Sequence, residues 1–335
     1  MKLATIKDGS RDGQLAVVAR DLKTAQLADG IAPTLRRALD DWAFIAPQLE
    51  QLYRELNQGR GRRVFDFDPA NCMAPLPRPC QWVEAAAYPS HVELERSGRG
   101  AASPEAPGDE PPMGQGGGEP LGPRDDIALL HEEWGIDFGA GLAVISDDLG
   151  MGATADQAHQ QIRLLMLVNQ VVLRNVLPDE LAGGLGALQS RPAGACSPVA
   201  LTPDELGDAW QGGKVHLALR ASWNGKLVGQ AQAGVDMAFN FAQLLSHLAR
   251  TRQVRAGAVL AGGVVSNRGG KRGYSCIAEQ RALELAAKGR AATPYLAFGD
   301  SIRIEMLDGD GKSLFGAIEQ NVAQAVAPVD PRRGR

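Results

Sequence analysis

The chain has 335 residues, enough for one large domain or two smaller ones at roughly 150 residues per domain. Apolar residues make up 44% and charged residues 22%, an ordinary globular balance. With 35 basic and 39 acidic side chains the net charge is −4, and no long basic tract is present, which argues against a nucleic-acid partner.

No stretch approaches the ~20 consecutive apolar residues of a membrane span, and the opening Met1-Lys2-Leu3-Ala4-Thr5-Ile6-Lys7-Asp8 lacks the apolar core of a signal peptide. A cytoplasmic protein with no membrane partner is expected. Cys72, Cys80, Cys196 and Cys276 form no CxxC pair, so they read as reduced thiols rather than a zinc site.

Residues 1–25 read as strands, with Leu15-Ala16-Val17-Val18-Ala19 following the turn signal Asp12-Gly13. Leu35, Leu39, Trp42, Ala46, Leu49 and Leu52 then recur at helical spacing, and Pro47 is expected to divide that helix in two. The prolines of 66–79 predict an extended connector. Residues 97–125, rich in Gly, Pro and acids, predict a mobile, lid-like loop.

A strand is expected over 134–145. Thr154 with Gln157 predicts a capping box opening a helix whose apolar face includes Ile162, Leu165 and Met166. Trp223-Asn224-Gly225 predicts a hairpin turn, and a second helix is expected from about Asn240 to Arg250. Further strands are expected over 295–298, 302–306 and 314–318.

Several strings resemble the fumarylacetoacetate hydrolase family. They include KDGSRDGQLAVVARDL near the start, LLMLVNQVVLRN, Ala233-Gly234-Val235-Asp236-Met237, Val265-Ser266-Asn267, Gly273-Tyr274-Ser275-Cys276-Ile277-Ala278-Glu279 and FGDSIRIEMLDGDGKSLFGAIEQ. The agreement is collinear from residue 1 to about 325. The resemblance implies a β-rich α+β fold: a small N-terminal α+β domain over 1–78, a mixed β-sandwich roll over 79–328 and a tail at 329–335. It also implies a homodimer. Family members act on carbon–carbon bonds next to carbonyls, in substrates chelated by magnesium or calcium.

Four carboxylates hold that cation in the family. Here their positions carry Glu84, Gly139, Gly141 and Gln170, so a single acid is left. Hard cations need several oxygen donors, and this set is poor. Asp137 lies two residues before Gly139 and about 6–7 Å further along a regular strand, too far to substitute for it. The glycines can be read as close-packing positions, or as a metal pocket emptied to make room; the second reading is preferred. If the scaffold keeps its shape, restoring acids at 139, 141 and 170 should restore metal affinity.

The acid–base positions are kept. His91 matches the family's catalytic histidine and Glu279 the glutamate that orients it; such a carboxylate fixes the imidazole tautomer and raises its basicity. The resemblance also places Glu84, Gln115, Gln170, Arg174 and Arg191 as substrate contacts. Leu177, Val264 and Gly114 replace more polar or larger family residues, which describes a larger, drier pocket.

Three functions follow. The preferred one is a metal-independent enzyme that uses His91 and Glu279 on a carbonyl-rich small molecule, polyketide-like or a cyclic diketone. Cyclisation, isomerisation, dehydration and carbon–carbon cleavage all remain open, and no cofactor is needed beyond at most a weak magnesium or calcium site. The alternatives are a magnesium- or calcium-dependent hydrolase of β-diketo acids, its cation held by Glu84, Asp137 and substrate oxygens, and a catalytically silent ligand-binding homologue.

Overall fold

The structure is a computed structural model that describes residues 1–100 and 110–326. The first 27 residues form three antiparallel strands, β1 (Lys2–Ile6), β2 (Gln14–Val18) and β3 (Thr24–Leu27). Two helices follow, α1 (Leu35–Leu39) and α2 (Trp42–Asn57), and then β4 (Phe65–Asp66). The helical stretch breaks at Asp40-Asp41 and not at Pro47, which lies inside α2. Ile45, Leu49 and Leu56 are buried along α2. At roughly 1.5–3 kcal/mol each, their burial outweighs the ~3 kcal/mol that an interior proline costs.

Next come β5 (Gln81–Ala85), α3 (Pro89–Gly98), β6 (Met113–Gln115), β7 (Ile127–Leu129), β8 (Ile136–Asp137) and β9 (Ala140–Ser146). The strand expected over 134–145 is thus interrupted at Phe138-Gly139. The expected loop at 97–125 is shorter than its composition suggests, because α3 runs to Gly98 and β6 pairs antiparallel with β5. Its centre, 101–109, and the tail at 329–335 lie outside the described residues.

Helix α4 (Ala155–His159) opens with the expected capping box, Thr154 with Gln157. It ends before Ile162, and Ile162, Leu165 and Met166 lie on a strand, β10 (Ile162–Asn169), not on a helix face. The reason is burial on both sides. Leu165 and Leu167 enter one core while Leu164, Met166 and Val168 enter another, so the strand is apolar from Leu164 to Val168 and shows no alternation there.

The chain continues through β11 (Val172–Leu173), α5 (Leu177–Ala182), β12 (Ala195–Cys196), β13 (Ala200–Leu201), β14 (Trp210–Gln211) and β15 (Lys214–Val215). A hairpin follows, β16 (Ala218–Trp223) and β17 (Lys226–Gln232), turning at Asn224-Gly225 with positive φ at both residues. The remaining elements are α6 (Phe241–Leu248), β18 (Ala258–Val264), α7 (Ile277–Lys288), β19 (Ser301–Met306) and β20 (Ile318–Gln324). No regular strand forms over 295–298, where Leu296 makes a single bridge to Ile136, and the last strand begins only at Ile318.

The large mixed sheet runs β4-β3-β2-β1-β13-β10-β9-β18-β5-β6, and a five-stranded sheet runs β17-β16-β19-β20-β7. Because β1 pairs with β13, the N-terminal strands continue the sheet of the larger unit. One face of the large sheet packs on the smaller sheet, with Val144 and Leu165 in the same core as Ile304 and Ile318. The other face carries α1 and α2. All four cysteines are free thiols, and only Cys80 is exposed.

Candidate active site

The C-terminal ends of the parallel pair β5 and β18 meet the turn between β10 and β11 around a cavity of about 480 Å³. Its wall includes Glu84, His91, Gln115, Gln170, Leu177 and Arg191. Glu84, which the sequence resemblance sets at a metal position, extends from β5 and accepts a hydrogen bond from Arg191 at 2.7 Å, so it is already ion-paired. Gly114 and Val264 also line the cavity, and nothing lies within 4 Å of a Cβ built on Gly114.

His91 stands on α3, with Pro89 pre-shaping the first turn. Its Nδ1 lies 2.9 Å from Glu279 Oε1, on the first turn of α7. That contact fixes one ring nitrogen and leaves Nε2 to exchange a proton with the cavity. Glu279 is buried, and its Oε2 accepts from the backbone N–H of Ser275.

Arg174 does not line the cavity. It is buried behind α3, donating from Nε to Asp137 at 2.8 Å and from a terminal nitrogen to Glu95. Asp137 in turn accepts the backbone N–H groups of Ile277 and Ala278, at 2.6 and 3.0 Å. Asp137 therefore caps α7 across 140 residues of chain. Burial pushes its carboxyl up in pKa, against the pull of Arg174 and the two N–H groups. For Glu95 burial works the same way, but Arg174 and then His91 outweigh it and hold the group at about 2. The ion network ties the helix of His91 to the helix of Glu279. It also removes Asp137 from any cation site, because both carboxylate oxygens are taken.

Gly139 and Gly141, which the sequence resemblance sets at metal positions, lie close against backbone. A Cβ on Gly139 would stand 2.6 Å from the carbonyl oxygen of Gln170, and one on Gly141 would stand 2.6 Å from that of Gly263. Gly139 N–H is also held by the buried side chain of Asn169. The geometry agrees with the close-packing reading of these glycines: a side chain at either position meets a main-chain carbonyl first.

Gln170 lies in the remaining space, and neither of its amide atoms has a hydrogen-bond partner among the described residues although both are buried. One ion-paired carboxylate, one amide and two glycines do not fit a hard divalent cation, which takes six or more oxygen ligands. A different set, His91, Cys276 and Glu279, brings its ligand atoms within 4.8 Å of one another. These donors suit a zinc-like ion. Such an ion would have to displace the bond between His91 and Glu279 and deprotonate Cys276, whose thiol is pushed well above its usual range, first by burial and then by Asp137 and Glu279.

Sequence reasoning placed His91 and Glu279, and the structure brings them together. It missed Cys276 beside the imidazole, the Asp137–Arg174–Glu95 network and Arg99 at the cavity wall. No local signal marks these, since each depends on a partner distant in sequence.

Residues 1–78 match the model of the fumarylacetoacetase N-terminal domain 2, and residues 81–323 match that of the fumarylacetoacetate (FAA) hydrolase C-terminal domain. No curated protein matches the chain. Among solved structures, a probable 2-hydroxyhepta-2,4-diene-1,7-dioate isomerase from Mycobacterium abscessus superposes with a TM-score of 0.66 at 18% identity, covering 98% of this chain and 100% of its own. Maleylpyruvate hydrolase from Sphingobium sp. SYK-6, in complex with manganese(II) and pyruvate, gives 0.65 at 15%, covering 97% and 100%. The fumarylacetoacetate hydrolase of Exiguobacterium antarcticum gives 0.63 at 16%, again covering 97% and 100%. These likenesses share a fold with this chain. With family models matched over almost its whole length, the chain belongs to the fumarylacetoacetate hydrolase family.

Proposed function

We propose that the protein is a metal-independent acid–base enzyme acting on a carbonyl-rich small molecule. The observation that carries this reading is the bond between His91 and Glu279 at a cavity walled by an ion-paired Glu84 and the amide of Gln170. His91 Nε2 would take a proton from the carbon between or beside carbonyls. The resulting enolate oxygen would be met by Gln170 once its amide, buried and without a partner among the described residues, turns into the cavity. Arg191, shared with Glu84, would hold an acidic end of the substrate. Leu177, Met113 and Val264 supply apolar wall for a bulkier body.

The test is α-proton exchange of pyruvate and acetylpyruvate in deuterated water with chelator present. Exchange above background should persist in chelator and fall by about 10²–10⁴ in His91→Gln, the usual worth of a positioned base. Exchange abolished by chelator would favour a metal-dependent hydrolase, the reading that the manganese-bound maleylpyruvate hydrolase supports. Ligand-induced stabilisation with no exchange on any probe would favour a silent binder.

A homodimer belongs to the same proposal. Leu185 and Leu188, both largely exposed near the cavity mouth, supply apolar surface for a second copy, and light scattering on the purified protein tests it. Among the described residues no helix is long and apolar enough to cross a membrane.

A further inference from the structure

Helix α5 sets a row of leucines along the cavity that holds His91. Leu177 and Leu181 stand four residues apart and so share one face of the helix. Both line the cavity, and Leu185 continues the row just past the end of α5. Exposure rises along it: Leu177 is buried, Leu181 is 44% exposed and Leu185 is fully exposed. The step from Leu177 to Leu181 alone covers about 6 Å at the helical rise. The row therefore leads from the enclosed part of the cavity to its mouth.

The end of the row is held in place. Glu180 accepts the backbone N–H groups of Leu188, Gln189 and Ser190, which anchors the chain beyond Leu185. Between that anchor and α5 the chain turns at Gly184 and Gly186, both at positive φ, a conformation that glycine adopts without strain. Val92, Met113 and Val264, each buried or half-buried, add apolar wall to the same cavity. The ionic groups come from other elements: Glu84 pairs with Arg191, and Glu95 and Arg99 stand on α3. The cavity is thus amphipathic. Exposed apolar side chains gathered at a cavity mouth mark recognition of an apolar ligand. A compact polar acid has no use for such a row, whereas a flexible chain can lie along it.

We infer that the substrate is an oxo acid carrying a linear apolar chain. Its carbonyl end lies at His91 and Gln170, and its chain lies along Leu177 and Leu181 toward Leu185. The inference rests on the acid–base reading above for the placement of the carbonyl end. Each methylene laid against the row leaves water and adds affinity. Because the row ends in solvent, the gain stops once the chain passes Leu185, and longer chains are tolerated without further gain.

The probes are straight-chain 2-oxo acids from pyruvate to 2-oxodecanoate, titrated in chelator by ligand-observed NMR. Affinity should rise about two- to fourfold per methylene and level off among the longest members. Leu181→Asp should flatten that slope, whereas general damage to the site would weaken all members alike and keep it. Leu185→Asp, at a fully exposed position that folding does not depend on, should lower only the plateau. Affinity that stays flat along the series, or a wild-type slope in Leu181→Asp, would overturn the inference. So would tighter binding of 1,3-cyclohexanedione than of every 2-oxo acid. Exchange of the C3 protons of the same acids in deuterated water separates the two layers. Chain-dependent affinity without exchange supports the apolar row and sinks the acid–base reading; exchange with flat affinity sinks the row alone.

Discussion

Gln170 fills the place that a side chain at position 141 would take: its Oε1 lies 3.2 Å from where a Cβ on Gly141 would stand. An amide thus stands beside Gly141 where the sequence resemblance leads one to expect a carboxylate. An amide N–H can donate directly to a carbonyl or enolate oxygen, which an ionised carboxylate, an acceptor only, cannot do.

From the close packing at both glycines follows the behaviour of acids placed there. Gly139→Glu and Gly141→Glu should each lower stability by about 1–3 kcal/mol, because the nearest obstacle in each case is a backbone carbonyl that cannot rotate aside. Adding Gln170→Asp should not bring magnesium affinity. Urea unfolding and titration calorimetry check the two halves; a stable triple variant that binds magnesium tightly would show that the strand opens readily.

The Asp137–Arg174 pair sets a larger cost. Arg174→Met leaves a fully buried carboxylate without its cation, and breaking such a pair costs about 3–5 kcal/mol. The loss should appear in urea midpoints. The His91 ring shifts should move too, since Glu95 on α3 loses the same partner.

Acid stability should depend on Glu95. Its pKa is depressed in the folded state, from 4.5 to about 2, so its contribution is present above the unfolded value and lost as pH falls between the two. The difference amounts to on the order of 3 kcal/mol. Glu95→Gln should weaken the protein at neutral pH and flatten the fall in stability between about pH 5 and pH 2. A slope in that window identical to wild type would contradict the charge assignment.

Glu180 pins the segment after α5. Its carboxylate accepts the backbone N–H groups of Leu188, Gln189 and Ser190 and the Ser190 hydroxyl. These bonds, the Ser190 hydroxyl first, hold it at about 2. Glu180→Ala should raise hydrogen exchange across 184–190 with little change in global unfolding. Unaltered exchange there would mean that the segment is held by something else.

What could be read from the sequence was local or collinear. The capping box at Thr154 and the Asn224-Gly225 turn carry their own chemistry within four residues. His91 and Glu279 were found through family resemblance, because no spacing rule links residues 188 apart. The start of α7 was hidden because its cap is Asp137 and not a neighbour such as Cys276, which makes no side-chain cap. Strand β10 looked helical because burial on both faces erases the two-residue alternation. The close packing at Gly139 and Gly141 depends on carbonyls from Gln170 and Gly263, which composition cannot reveal.

The central claim is an acid–base site without a resident divalent cation. Titration calorimetry of the chelator-stripped protein with magnesium and with manganese addresses it most directly. The account predicts no saturable heat at sub-millimolar metal, with Glu84→Gln indistinguishable from wild type. Tight binding of one equivalent, abolished by Glu84→Gln, would contradict it.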